Sequence, residues 1–216
     1  DTVTLLGALI TFYFSANIFL GFDGQATQYK LATIMPGIDI SFHIEPLGII
    51  FSLLASGLWI LTHIYAIGYM RGAKEKNHSR FFFFFSVSIA SVMGISFSGN
   101  LFTLFLFYEL LTLITFPLVS HKGSTEALRG ARVYLSILLG TSIGLQLLGI
   151  IWIYFSVGTL DFVKGGILNG FFGSFELMLL VGLFAFGIGK AALFPFHRWL
   201  PAATVSYTHL TLPTNA

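Results

Sequence analysis

The amino-acid sequence predicts an all-α polytopic membrane protein with about six transmembrane helices, a small extracytoplasmic β-hairpin and a broken last helix. Of its 216 residues, 56% are hydrophobic and only 9% are charged, whereas soluble domains carry about 25% charged residues. The 25 Phe and 23 Gly suit a bundle whose helices present large apolar groups to lipid and small ones to each other. Lipid is therefore the predicted solvent for most of the chain.

Six apolar windows are long enough to cross a bilayer, which takes roughly 20 mostly apolar residues. Because lipid offers the backbone no hydrogen-bond partners, each window is expected to be helical rather than an open strand. The predicted spans cover, to within a few residues, 3–22, 47–70, 80–98, 101–119, 131–156 and 174–197.

The basic residues outside the spans fall mostly on one side of the predicted membrane. That side carries Arg71, Lys74, Lys76, Arg80, Lys122, Arg129 and Arg132. The loops of the opposite side carry only Lys30 and Lys164. Because loops rich in Lys and Arg stay in the cytoplasm, we expect an integral protein of a prokaryotic-type inner (cell) membrane, with both termini of this chain cytoplasmic.

The connection at residues 23–46 has a regular pattern. From Ile38 to Glu45 apolar and polar residues alternate, which is the period of a strand with one buried face. Pro36 and Gly37, just before this stretch, are a turn signal. The pattern predicts a β-hairpin on the outer surface; the alternative is an irregular loop with accidental alternation.

Glu109 is an acidic residue in the middle of an otherwise apolar span, residues 100–117. An acidic side chain at this depth costs on the order of 2.5–3.5 kcal/mol on insertion, so it usually faces the protein interior and belongs to an ion or proton path. The alternative is a protonated Glu109 that only forms a hydrogen bond to a neighbouring helix.

Lys190 lies in the last apolar window, after Gly187 and Gly189 and before Pro195. Because proline lacks the backbone donor that would bond to the carbonyl of residue 191, this helix is predicted to be broken near the lysine. Broken helices at mid-membrane expose backbone dipoles to ions in many transporters. The alternative is that Lys190 extends to the cytoplasmic boundary, since Arg198 is close in sequence.

Two further residues are secondary candidates for a polar path. Arg132 begins the fifth span, where the simpler expectation is that its side chain extends to the membrane surface. His197 follows the predicted helix break. His63, inside the second span, is instead expected to be a hydrogen-bonded core residue, because a lone histidine in a span is more often that than a ligand. The lack of a second mid-span histidine on a facing helix argues against a bis-His haem site.

Several kinds of chemistry are not supported by the sequence. Without cysteine, the chain has no disulfide, thiolate metal site or Cys nucleophile. His43 and Glu45 lie on the same face of the predicted strand, but two ligands without a third do not predict a metal site. No phosphate-binding glycine loop, dinucleotide fingerprint or Ser-His-Asp ordering is present. We therefore predict no cofactor, no metal site and no catalytic chemistry in this chain.

The segment Gly189–Ala203, GKAALFPFHRWLPAA, resembles the signature of the antiporter-like subunits. This family is shared by respiratory complex I, multisubunit Mrp-type Na⁺/H⁺ antiporters (subunits A and D) and membrane-bound hydrogenases. Residues 108–110 on the glutamate span, residues 69–71 at the exit of the second span and the predicted hairpin support the resemblance. It covers the chain from about Leu5 to Ala203.

The resemblance implies a fold of about fourteen helices in which two inverted repeats each contain a broken helix with a key lysine. Glu109 then corresponds to the fifth-helix glutamate and Lys190 to the seventh-helix lysine, whose ion pair sets the proton affinity of the lysine. By this mapping the chain spans the second to the seventh helix, as a fragment truncated at both ends.

The sequence departs from the family at two places. Many relatives carry a lysine just before the sixth-helix tyrosine, whereas Val133 precedes Tyr134 here and the nearby basic residue is Arg132. Beyond Ala203 the family continues into another apolar helix, but residues 204–216 are too short and polar to span a membrane. We expect residues 1–203 to form a partial antiporter-like domain and the remainder, with His209, to be a non-native tail.

The function implied by the resemblance is ion translocation without redox chemistry. The chain is predicted to belong to a membrane subunit that moves protons, or exchanges H⁺ for Na⁺ or K⁺, through a half-channel that contains Glu109 and Lys190. Its expected partners are lipid and other membrane subunits of a complex, not nucleic acid. The alternative is a structural or quinone-adjacent membrane subunit of a respiratory or hydrogenase complex, with no ion path.

Overall fold

The structure, a computed structural model, describes residues 2–72 and 75–204. It is mostly helical and contains one two-stranded antiparallel sheet. The chain divides into two compact units, residues 1–111 and residues 112–216. Each unit is considered by itself below.

The first unit contains three apolar helices and the first part of a fourth. These are α1 (Thr2–Gly21), α2 (Pro46–Gly72), α3 (His78–Ser96) and α4 (Leu101–Val119). Helices α1, α2 and α3 pack against one another. Most of the residues buried on these helices are small or polar, such as Ala8, Ser52 and Ser88, as expected where lipid provides no hydrophobic drive and helices associate through close packing and hydrogen bonds.

His63 on α2 illustrates this packing. Its side chain is fully buried, with Nε2 3.0 Å from the Thr4 hydroxyl of α1. Its ring lies 4.7 Å from the ring of Phe82 on α3. The prediction that His63 is a hydrogen-bonded core residue is confirmed.

The predicted hairpin is present as β1 (Thr27–Met35) and β2 (Ile38–Ile44), paired antiparallel. Gly37 in the turn has φ +78°, a conformation that glycine adopts without steric cost.

The expectation that the apolar residues of β2 form its buried face is wrong. The four apolar residues of β2 are only half-buried, and the buried residue of this strand is Ser41. Polar partners hold it there: Asn100 Nδ2 donates to Ser41 Oγ at 2.8 Å, and the Ser41 N–H donates to Thr103 Oγ1 at 3.0 Å. The hairpin is therefore attached to the start of α4 by buried hydrogen bonds, which strand periodicity does not reveal.

An ion pair across the hairpin makes its stability depend on pH. Lys30 Nζ lies 2.6 Å from Asp39 Oδ2, and this hydrogen bond lowers the pKa of Asp39 below its ordinary value. Because the folded-state pKa is depressed, the contribution is present above the unfolded pKa and is lost as pH falls through the folded pKa. We expect amide protection factors in residues 27–44, measured by hydrogen exchange, to fall below about pH 4. Asp39→Asn is the control and should remove this pH dependence; equal protection at about pH 3 and pH 7 in the unaltered protein would contradict the expectation.

The second unit begins at Thr112 in α4 and continues with α5 (Thr125–Thr141), a π-helical turn (Ser142–Gln146) and α6 (Leu147–Val157). After a long connection come α7 (Ser174–Gly187), two 3₁₀ turns (Gly189–Ala191 and Phe196–Arg198) and α8 (Trp199–Thr204). Helix α7 packs against the π-helical turn and α6, and α8 packs against α5.

The predicted spans agree with the helices except at the fifth and sixth. Within residues 2–72 and 75–204, five helical stretches are long and apolar enough to cross a membrane, the fifth being the continuous stretch Thr125–Val157. It begins earlier than predicted because Ser124 caps it, its Oγ accepting a hydrogen bond from the Ala127 N–H at 3.1 Å. The sixth is a shorter apolar helix of 14 residues that ends at Gly187, so the predicted broken last helix is confirmed.

Candidate functional site

The chain leaves helical geometry between α7 and α8. After Gly187, Ile188 has φ −77° and ψ 69°, Lys190 lies in a 3₁₀ turn, and Ala192 takes the left-handed conformation with φ 52°. Pro195, predicted together with Gly187 and Gly189 to break the helix, lies eight positions beyond the last residue of α7. The helix therefore ends well before the proline, at the first of the two predicted glycines.

Both glycines pack closely against neighbouring segments, Gly187 against the π-helical turn and Gly189 against the end of α5. A Cβ atom on Gly187 would lie 2.6 Å from the backbone nitrogen of Gln146, and one on Gly189 would lie 2.3 Å from Thr141 Oγ1. Only glycine allows this approach at both positions. The π-helical turn, a type of feature that occurs frequently at functional sites, therefore packs directly against the last residue of α7.

Lys190 is bound inside the second unit. Its ammonium donates a hydrogen bond to the Thr112 hydroxyl on α4, with Nζ and Oγ1 2.5 Å apart. Thr112 has no solvent-exposed surface and is the twelfth of the 19 residues of α4. The lysine is therefore directed to the middle of an apolar helix, which disfavours the alternative in which it extends to the membrane boundary.

The segment after the break returns to the lysine. Trp199 Nε1 donates to the Gly189 carbonyl oxygen at 2.8 Å, so the first residue of α8 binds the residue before Lys190. The Trp199 ring contacts the ring of Tyr134 on α5 edge-on, with centroids 5.6 Å apart. Through these two contacts, Trp199 holds the start of α8 against both the broken segment and α5.

Gln146 adds a neutral polar group beside the break. Its residue surface is 2% exposed, and within residues 2–72 and 75–204 its Oε1 has no hydrogen-bond partner. A buried carbonyl in this condition costs about 1–3 kcal/mol. Sequence reasoning missed this residue, because glutamine in an apolar span carries no charge to draw attention to it.

Glu109 belongs to the first unit and is the ninth residue of α4. Its mid-span position is as predicted, and both of its carboxylate oxygens are buried from solvent. A carboxylate in this environment is favoured when a positive charge or hydrogen-bond donors lie near it.

The two secondary candidates lie at the surface of the second unit. Arg132 is exposed on α5, where it is the eighth residue of the helix. His197 is also exposed, and its ring stacks on that of Phe194 with centroids 5.7 Å apart. Their role in a polar path stays a prediction.

Two polar residues near Lys190 were missed although the sequence contains a signal for them. Thr112 and Thr115 follow Glu109 at steps of three positions in an otherwise apolar stretch. Positions three apart lie on the same face of a helix. A polar stripe of helical period next to a buried charge identifies these residues as candidates.

The sequence matches two known protein families. Residues 98–212 match the family described as NADH:quinone oxidoreductase/Mrp antiporter, transmembrane. Residues 35–82 match the family described as NADH-ubiquinone oxidoreductase (complex I), chain 5 N-terminus. The first match contains Glu109, Thr112 and Lys190.

Curated relatives extend the similarity to almost the whole chain. A putative antiporter subunit mnhA2 of Staphylococcus haemolyticus is 32% identical over 91% of this chain and 25% of the relative. Subunit 5 of the chloroplastic NAD(P)H-quinone oxidoreductase of Ipomoea purpurea is 31% identical over 100% of this chain and 32% of the relative. The chain thus spans a quarter to a third of the length of these relatives.

A solved structure supports the fold. The membrane-bound sulfane sulfur reductase, an archaeal respiratory membrane complex, contains a chain that superposes with a TM-score of 0.77 at 20% identity, over 93% of this chain and 41% of that one. With its apolar helices, this chain is an integral membrane protein. The polypeptide belongs to the NADH:quinone oxidoreductase/Mrp antiporter family of membrane subunits.

Proposed function

We propose that the protein translocates protons, or exchanges protons for a monovalent cation, and that Lys190 is the group that takes up and releases the proton. The observation that carries this proposal is the position of the Lys190 ammonium, held in a helix break on a buried threonine hydroxyl. Burial of an ionisable side chain at this depth costs free energy, so residues of this kind usually have a function.

Helix periodicity supports a role for Glu109 as the charge partner of this lysine. Glu109 and Thr112 are three positions apart in α4, so they lie on the same face of that helix. A carboxylate near an ammonium favours the charged form of both groups. Movement of Glu109 toward or away from Lys190 would therefore change how tightly the lysine holds its proton.

The relatives support a place in a larger assembly. Their names describe an antiporter subunit and a quinone oxidoreductase subunit, and we propose that this protein likewise works with other membrane subunits. The excess of Lys and Arg at the predicted connections 71–79 and 120–130, with the flanking Arg80 and Arg132, supports a cytoplasmic location for this side of the protein.

The proposal is tested by Glu109→Gln in the full-length protein within its complex. We expect ion movement in proteoliposomes, followed with a pH-sensitive dye, to fall to background while the complex assembles normally, because the neutral amide cannot change the proton affinity of the lysine. Ion movement at the unaltered rate by both Glu109→Gln and Lys190→Ala would instead favour a structural membrane subunit without an ion path.

A further inference from the structure

We propose that three hydroxyl groups, those of Thr112, Thr115 and Tyr134, form a proton route between Lys190 and the side of the membrane where α4 ends and α5 begins. These residues are called the hydroxyl ladder below. The inference rests on the proposed function and names the path by which the proton reaches or leaves the lysine.

The contacts of the hydroxyl ladder lie within the second unit. Lys190 Nζ donates to Thr112 Oγ1. One turn further along α4, the Thr115 hydroxyl lies 2.6 Å from the Tyr134 hydroxyl and 3.1 Å from the Thr112 carbonyl oxygen. Thr112 is fully buried and Tyr134 is 6% exposed. With a water molecule between Thr112 and the half-buried Thr115, the three hydroxyls connect the lysine to α5.

The first two hydroxyls of the hydroxyl ladder, those of Thr112 and Thr115, approach the end of α4. Thr112 lies seven residues before Val119, the last residue of α4, which corresponds to roughly 10 Å along the helix axis. Thr115 is closer to that end by one turn. Tyr134 lies nine residues after Thr125, the first residue of α5. The step from Thr112 to Thr115 therefore points toward the connection at residues 120–124. Tyr134 lies deeper along α5, so water must complete the path from its hydroxyl to that side.

Each hydroxyl can both accept and donate a proton, as a relay requires. Thr115 has one hydrogen, which it donates either to the Thr112 carbonyl or to Tyr134, and in the first case Tyr134 donates to Thr115. The Cβ atoms of residues three apart on a helix are about 5–6 Å apart, so one water molecule is needed to join the Thr112 and Thr115 hydroxyls.

Proton passage along this route is balanced. Lys190 Nζ releases a proton to Thr112 as Thr112 passes its own hydrogen to the bridging water. The water passes one to Thr115, Thr115 passes one to Tyr134, and Tyr134 releases one to a second water molecule, which enters from the side where α5 begins. Every hydroxyl gains and loses one proton, so of the protein groups on the route only the lysine changes charge, and rotation of the hydroxyls resets the route.

The chemistry of the hydroxyl ladder favours a proton over Na⁺ or K⁺. An alkali cation needs a ring of oxygens to replace its hydration shell, whereas these hydroxyls are arranged singly. The route also ends at an ammonium group, which repels another cation. Protons pass through such a file because only a hydrogen moves between neighbouring oxygens.

The experiment removes the hydroxyls one at a time in the full-length protein within its complex. Thr115→Val keeps the side-chain shape, Thr115→Ser keeps the hydroxyl, and Tyr134→Phe removes only the phenolic oxygen. We expect proton flux into proteoliposomes to fall by about tenfold or more in the Val and Phe variants and to stay near normal in the Ser variant. Matched controls are Thr62→Val and Tyr13→Phe, whose polar groups lie on α2 and α1.

Thermal midpoint and assembly are measured on every variant. If Tyr134→Phe also lowers stability, the Thr115 pair decides: loss in Val with retention in Ser supports the hydroxyl ladder, and equal flux in both overturns it. Normal flux in both Thr115→Val and Tyr134→Phe also overturns it. Lys190→Ala separates the two proposals, because loss of flux there with normal flux in the hydroxyl variants rejects only the hydroxyl ladder, whereas normal flux in Lys190→Ala rejects the proposed function.

Discussion

Lys190→Ala is expected to reduce ion movement by the full-length complex to background. The alanine removes the ionisable group that donates to the Thr112 hydroxyl, and a hydroxyl cannot store a proton as lysine does. Assembly should survive, because removal of a charge from an apolar environment also removes a desolvation cost. The measurement is ion flux in proteoliposomes together with the yield of the assembled complex.

Lys190→Arg sharpens this prediction. Arginine keeps the positive charge but does not lose its proton in proteins. If Lys190 carries the proton, the Arg variant should be nearly as inactive as the Ala variant. If the charge serves only to fix helix packing, Arg should retain ion movement.

A surface lysine provides the control. Lys164 lies in the exposed connection between α6 and α7, and Lys164→Ala should keep the unaltered rate. Ion movement by Lys190→Ala at the rate of Lys164→Ala would rule out Lys190 as the proton-carrying group.

The second large effect is expected from Gly187→Ala. The added Cβ would meet the Gln146 backbone nitrogen at 2.6 Å, and a backbone atom cannot rotate away as a side chain can. Overpacking of this kind typically costs about 1–3 kcal/mol. We expect a lower thermal midpoint from this cost. We also expect slower ion movement, because a shift at Gly187 would move the segment that carries Lys190.

Gly182→Ala is the matched control on the same helix. A Cβ at this position meets nothing within 4 Å, and alanine is favoured over glycine in a helix by about 1 kcal/mol. The control should keep or raise the thermal midpoint. An equal effect of the two substitutions would show that close approach at Gly187 does not set the helix end.

Much of the fold follows from local properties of the chain. Long apolar windows become helices because lipid provides no other hydrogen-bond partners, so α1 to α4 end within a few residues of their predicted limits. Alternation after Pro36 and Gly37 was enough to predict the hairpin. Glu109 and Lys190 could be identified as candidates because burial of a charge in an apolar span is costly.

Other features depended on contacts between residues distant in sequence. Ser41 faces inward because Asn100 and Thr103 bind it, although the strand pattern assigned burial to its apolar neighbours. The break near Lys190 was predicted, but only the structure shows that α7 ends at Gly187 and that this glycine packs against Gln146 of the π-helical turn.

The same division holds for the candidate site. The sequence alone determined that a lysine lies in an apolar segment near glycine and proline, because charge, hydropathy and backbone freedom are properties of single residues. Only the tertiary structure decided that the ammonium binds Thr112 and that Trp199 returns to Gly189. These partners come from different helices, and side-chain distances between helices are set by packing, which residue type and spacing do not encode.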